Sequence, residues 1–131
     1  GELIYHTNVL MNVGEELAVI CDEAIPREDQ REAVIQSLAG TGHQVLKLTF
    51  DQMNSFAGNM LELRSSFGQR VIAMSEQARE SLTASQLEKI SAYAQIVSAP
   101  IEKIESSAGG SVRCMLAEIH LPILQTSAIQ E

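Results

Sequence analysis

The order of elements in this chain repeats, and the repeat limits the possible folds more than any other feature. Asn8-Val9-Leu10, Asn59-Met60-Leu61 and Cys114-Met115-Leu116 align with one another, 51 and then 55 residues apart. Ala18-Val19-Ile20 falls in the same way over Val71-Ile72-Ala73. In the first round, Leu3 to Val13 is rich in strand formers and Gly14-Glu15-Glu16 is a turn. Leu17 to Cys21 is an apolar run too short for a helix. Pro26 then opens a helical pattern with Val34, Ile35 and Leu38 on one face and Gly40 at its close. Gln44 to Phe50 reads as a strand with Leu46, Leu48 and Phe50 on one face.

The second round follows the same order. Met60 to Leu63 and Arg70 to Met74 read as strands around the turn Ser65-Ser66-Phe67-Gly68. Thr83 and Gln86 form the pattern of a capping box, opening a helix that carries Leu87, Ile90 and Ala94. Gln95 to Ile101 is the next strand. A third round begins at Ser111 to Leu121, where Met115, Ala117, Ile119 and Leu121 alternate. This spacing suits a ββαβ unit rather than a helical solenoid. The expected fold is therefore α/β, with two complete blade-like units at 3–54 and 55–108. The start of a further blade is expected at 109–124 and a tail at 125–131. Such units bury their faces against neighbours, and about three are usually needed for stability. The chain is therefore expected to complete itself with a missing part of a larger protein, or to self-associate through open blade edges.

Charge and cysteine usage remove several function classes. The formal net charge is −8, which disfavours binding to phosphate backbones, and no Lys/Arg cluster relieves it. No nucleic-acid partner is expected. The run Arg27-Glu28-Asp29-Gln30-Arg31-Glu32 is mixed in sign and reads as a solvated helix start. No apolar run approaches the roughly 20 residues of a membrane span, and no basic start precedes an apolar signal segment. Cys21 and Cys114 do not make a disulfide framework, so a reducing cytoplasmic setting is the simplest expectation. The scattered His6, His43 and His120 give no zinc spacing, and neither a phosphate-cradling glycine loop nor a Ser-His-Asp signature is present. No metal and no organic cofactor are expected.

Two residues carry the chemistry that remains. Cys114 follows Gly109-Gly110, a step that allows the backbone close to a ligand. The neighbouring Arg113 would favour a thiolate if its charge lay near the sulfur. A lone Cys is more commonly a small buried core residue, and Cys21, at the end of an apolar run, has only that reading. His6 stands two residues before the repeat position equivalent to Cys114. A Cys–His pair distant in sequence and close in space is the layout of a thiol nucleophile with its acid/base. His43 reads as an exposed loop residue, and His120 as three strand steps from Cys114. Polar residues at equivalent blade positions would converge on a pseudo-symmetry axis, which brings Asn8 and Asn59 into the same candidate site.

Three segments resemble the landmarks of the guanidino-group-modifying superfamily. They are Tyr5-His6-Thr7-Asn8-Val9, Gly58-Asn59-Met60-Leu61-Glu62-Leu63 and Gly109-Gly110-Ser111-Val112-Arg113-Cys114-Met115. That superfamily contains the arginine deiminases, dimethylarginine dimethylaminohydrolases and amidinotransferases, and the likeness is greatest to its citrulline-utilisation hydrolase branch. The resemblance implies a pentein fold, a partial α/β-propeller here, of which this chain would be the C-terminal half. It implies Cys114 as nucleophile and His6 as general acid/base, with Asn8, Asn59 and Arg113 beside a small guanidino or ureido amino acid. Where arginine deiminases carry an Asp two residues after the His, this chain has Asn8, and a neutral amide suits a neutral ureido group. The superfamily's other substrate-holding carboxylate comes from an N-terminal half. Asp51 and Glu62 match no such motif, so this stretch alone is expected to be inactive. The alternatives are a non-catalytic pentein-like binding module and an interaction fragment that pairs through an open strand edge.

Overall fold

Leu17-Ala18-Val19-Ile20 forms β2 (Leu17–Ile20), buried at every position. Such a strand needs cover on both faces and pairing on both edges. β1 (Met11–Val13) pairs with it antiparallel, and β3 (Gln44–Lys47) pairs parallel on the other edge. Before β1, Thr7–Leu10 makes one helical turn, α1. Between β2 and β3 the chain passes through a 3₁₀ turn at Asp22–Ala24 and helix α2 (Glu28–Gly40). The computed structural model describes residues 3–118. The expected alternation through Ile119 and Leu121, the position of His120 and the 125–131 tail lie outside the described residues.

The second sheet has the same plan. After α3 (Phe50–Asn54), β4 (Leu61–Arg64) lies antiparallel to β5 (Arg70–Ser75). Helices α4 (Glu76–Ser81) and α5 (Ala84–Ser91) lead to β6 (Gln95–Ala99), parallel to β5. Helix α6 (Glu102–Ala108) and the short turn α7 (Val112–Met115) follow. The registers coincide. Ile20 faces Met11 as Ala73 faces Leu61, and Ala18 faces Val45 as Val71 faces Gln95. The alignment of Ala18-Val19-Ile20 with Val71-Ile72-Ala73 is thus also the alignment of the two sheets. The fold is α/β, with two three-stranded sheets and no closed barrel among the described residues.

One core joins the sheets. Leu17 and Val19 with Leu46 and Leu48 from the first meet Ile72 and Met74 from the second, closed over by Ala78, Leu82 and Ile90. Val19 and Ile90 are fully enclosed, and each such side chain stabilises the fold by about 1.5–3 kcal/mol. The expected face of α2 is present but only half covered, since Val34, Ile35 and Leu38 are half-buried. A polar clamp supplements the core. The expected capping box at Thr83 and Gln86 forms, and an equivalent one forms at Thr49 and Gln52. The two glutamines then bond each other, Gln52 Nε2 to Gln86 Oε1 at 2.7 Å and Gln86 Nε2 to Gln52 Oε1 at 3.1 Å. They also donate to Ser81 O and Lys47 O, each at 2.9 Å.

Four expected strands are corrected. Leu3 to Val13 forms a paired strand only from Met11, because the helical turn α1 interrupts it. Gln44 to Phe50 stops at Lys47, because Thr49 caps α3 and turns Phe50 outward. Gln95 to Ile101 stops at Ala99 ahead of Pro100 and α6. Cys114 lies not on a strand but in α7. Helices α4 and α6 were not expected from the hydrophobic pattern. The Ser75 hydroxyl caps the first, and Gly109 ends the second in the left-handed conformation, with φ 66°.

Glycine sites separate close packing from empty space. A Cβ on Gly58 would stand 2.4 Å from Val9 O, where only backbone could yield. A Cβ on Gly40, in the last turn of α2, meets nothing within 4 Å. Gly58→Ala should therefore destabilise the chain by about 1–3 kcal/mol. Gly40→Ala should raise stability by about 0.4–1 kcal/mol. Urea unfolding of the two variants checks the opposite signs.

Candidate active site

Asn59 organises the region that the repeat singled out. The turn before it places Phe56 at φ 64°, a left-handed conformation uncommon for a bulky residue and costing on the order of 1 kcal/mol or more. That turn, closed by Asn59 N donating to Phe56 O at 2.9 Å, delivers the Asn59 side chain into the interior, 1% exposed. Its Nδ2 donates to Asn8 O at 2.8 Å, and its Oδ1 accepts from Ser111 N at 3.2 Å. Its own carbonyl accepts from Arg113 N at 3.3 Å. With the amides of residues 111 and 113 taken in this way, the segment at Cys114 has no strand ladder to join.

Cys114 is exposed on α7, whose turn closes through Cys114 N donating to Ser111 O at 3.0 Å. The Ser111 hydroxyl donates to Glu105 Oε1 at 2.6 Å, and both residues are buried. Gly110 faces the sulfur. A Cβ there would meet Cys114 Cβ and Sγ, each at 3.1 Å. Sγ lies 3.4 Å from Asn59 Nδ2, 3.6 Å from Asn59 Oδ1 and 3.9 Å from Asn8 Nδ2. The other end of the Asn8 carboxamide meets His6, with Nδ1 to Oδ1 at 2.9 Å. Because the oxygen of Asn8 only accepts, His6 Nδ1 is the donor in this pair. Tyr5 lies parallel to the His6 ring, with centroids 6.3 Å apart, and its hydroxyl donates to Gly109 O at 2.8 Å.

The structure therefore brings His6, Asn8, Asn59 and Cys114 into one chain of contacts. Arg113 lines an adjoining cleft of about 380 Å³ with Thr7, Asn8, Met11, Asn12 and Glu62, and it pairs with Glu118 at 3.6 Å. Asn59 lies beneath the sulfur and not in the open cleft. Sequence reading missed Asn12, whose Nδ2 is buried without a partner, and nothing but strand alternation along β1 pointed to it. Glu62 matched no motif, yet its carboxylate reaches both the cleft and Glu15 N, at 3.3 Å. His43 is half-buried rather than exposed. It bridges Thr41 Oγ1 at 2.8 Å and Gly14 O at 3.0 Å, a link that fixes the β1–β2 turn. Among the described residues, no three His, Cys, Asp or Glu side chains are grouped to hold a metal ion. No helix among them is long and apolar enough to cross a membrane.

Comparison with known proteins supplies the family. Residues 1–121 match the family model described as N,N dimethylarginine dimethylhydrolase, eukaryotic, and the chain belongs to that family. The guanidino-group-modifying superfamily expected from the three landmark segments is thereby shown. No curated protein matches the chain. Among solved structures it is similar to apo ArgZ, an arginine dihydrolase from the ornithine–ammonia cycle in Cyanobacteria, with a TM-score of 0.66 and 16% identity. That likeness is one of fold. It covers 93% of this chain, and the chain spans 18% of the length of that structure.

The two thiols should respond differently to an alkylating agent. Burial pushes the Cys21 thiol up, with the charges of Glu23 and Asp22 adding to the rise against opposing backbone hydrogen bonds. The thiolate is the nucleophile, so a raised value leaves less of it at neutral pH. Cys21 is also fully enclosed. Iodoacetamide at neutral pH should label the folded chain once, at Cys114, and label Cys21 only after unfolding. Peptide mass mapping reads this, and equal labelling of both thiols in the folded chain would contradict the assignment.

Proposed function

We propose that this member of the dimethylarginine dimethylhydrolase family carries the nucleophile and the general acid/base of a hydrolase. Its target is the guanidino or ureido carbon of an arginine- or citrulline-like amino acid. The observation that carries the reading is the contact chain His6–Asn8–Cys114 at the edge of an open cleft, with Cys114 an exposed residue. An amino acid bears both charges, and the cleft walls offer one group of each sign, Glu62 and Arg113. Asn8 offers a neutral amide beside the reacting groups, which favours a ureido or partly neutralised guanidino group over a bare cation.

The reaction divides into two steps. The Cys114 thiolate adds to the central carbon, forming a C–S bond. His6, as imidazolium, protonates the departing nitrogen as the C–N bond breaks. Water then adds to the same carbon and gives its proton to His6, and the C–S bond breaks to return the thiolate. Nδ1 of His6 is held by Asn8, which assigns Nε2 as the atom that exchanges protons. In this scheme, the contact between Asn8 and His6 fixes the ring orientation between the two steps.

The test uses the protein that contains this chain, assayed for release of amine or ammonia from arginine, N,N-dimethylarginine and citrulline. Cys114→Ala should lower turnover by at least about 10⁴-fold, because it removes the nucleophile. His6→Ala should lower it by about 10²–10⁴-fold while substrate still binds. Undiminished turnover in Cys114→Ala would end the hydrolase reading. Ligand binding without turnover in the unaltered protein would favour a binding module.

A further inference from the structure

We propose that Asn59 is a positioning residue for Cys114, holding the sulfur in place and donating a hydrogen bond to its thiolate. The inference rests on the nucleophile reading for its consequence in turnover. An Asn carboxamide has two N–H donors and an oxygen with two lone pairs. One N–H is used on Asn8 O at 2.8 Å, and one lone pair on Ser111 N at 3.2 Å. The groups that remain, one of each kind, lie 3.4 and 3.6 Å from Sγ. A thiol donates its proton to the oxygen, and a thiolate accepts from the N–H. The same side chain thus serves both protonation states without rotating, and its two backbone partners prevent it from rotating.

The surroundings hold the sulfur against this group. Gly110 leaves the space that a Cβ would take from Sγ. Ser111, which meets the same carboxamide, is fixed from behind by Glu105. Charged or titratable groups around the sulfur include His6, reached through Asn8, Tyr5, which lies against His6 and bonds Gly109 O, and Arg113, paired with Glu118 in the same segment. Glu105 stands behind Ser111, and Glu62 lies across the cleft. Among the described residues, only the carboxamides of Asn59 and Asn8 present an N–H to Sγ, and the Asn59 contact is the shorter and the more enclosed. Asp at this position would keep the shape and lose both donors.

Alkylation of Cys114 by iodoacetamide at neutral pH, without substrate, tests the proposal in the unaltered chain, Asn59→Asp and Asn59→Ala. Removing a hydrogen bond to a thiolate should slow alkylation about threefold or more in Asn59→Ala, and about tenfold or more in Asn59→Asp, where a carboxylate faces the sulfur. A folded Asn59→Asp chain that alkylates at the unaltered rate overturns the proposal, whatever its turnover. If turnover falls in that variant while alkylation does not, the hydrolase reading stands and the positioning role falls. If the unaltered protein shows no turnover but the variants alkylate slowly, the positioning role stands and the hydrolase reading falls. Should the variants fail to fold, the side-chain amide signals of Asn59 in the unaltered chain decide by NMR. They should shift when Cys114 is alkylated, and unmoved signals would overturn the proposal.

Discussion

A buried carboxamide has to find partners for both its donors and its acceptor, and Asn59 finds them in two distant stretches of the chain. It bonds the carbonyl of Asn8, the amide of Ser111 and, through its own backbone, the amide of Arg113. Each such bond contributes about 0.5–1.5 kcal/mol net, while a buried group left unpaired costs about 1–3 kcal/mol. The second figure is the one that matters here. With Asn59 withdrawn, a carbonyl at one segment and an amide at another would be orphaned together. The segments at residues 8 and 111–114 are therefore held to one point by necessity, although they lie more than a hundred positions apart in the sequence.

Close approach is what makes that convergence possible, and the chain meets its demands locally. Gly58 lets the loop before Asn59 lie against the backbone of Val9 and Leu10, and Gly110 leaves space for the sulfur. Phe56 accepts a left-handed backbone where a glycine would be unstrained. Strain of this kind persists where the surroundings over-determine it, and here the fully buried Ala57, Gly58, Asn59 and Met60 follow directly. The reciprocal pair Gln52 and Gln86 ties the caps of α3 and α5 to each other. The two sheets are thus joined by a shared apolar core, by these carboxamide links and by the ion pairs of Arg64 and Arg70 with Glu15 and Glu16.

The parts of this architecture that were legible in the sequence are those whose causes are local. β2 and β5 are short apolar runs between turns, and aligning Ala18-Val19-Ile20 with Val71-Ile72-Ala73 matched the one strand to the other. The Thr83–Gln86 box is a four-residue signal and formed as read. The same signal stood at Thr49–Gln52, where the alternation of Leu46, Leu48 and Phe50 suggested a longer strand. The cap prevailed because Phe50 gains little from a strand position at the surface, where it remains 44% exposed. Gly109 ends α6 by an equally local signal, but the hydrophobic pattern does not reveal the helix that it closes. The turns α1 and α7 were not legible, because what ends strand pairing there is a side chain that is distant in the sequence. Asn12 and Glu62 escaped for a related reason, since a cleft between two units has no spacing in either.

The repeat explains why one position has come to hold unlike side chains with unlike tasks. In both sheets the residue aligned at this point lies just before the first strand, at Asn8 and Asn59, and Cys114 stands in the third round. The fold brings all three into contact, but burial differs at each. Asn59 is enclosed on every side, so its polarity can only be spent on fixed partners, which makes it a framework group. Asn8 is half-buried; its carbonyl is fixed by Asn59, while its side chain spans between His6 and the sulfur. Cys114 is exposed, and exposure is what a thiol needs in order to meet another molecule. A gradient from enclosed to open across equivalent positions thus converts a symmetric scaffold into an asymmetric site. The exposed thiol sits at the open end, and the enclosed carboxamide lies beneath it.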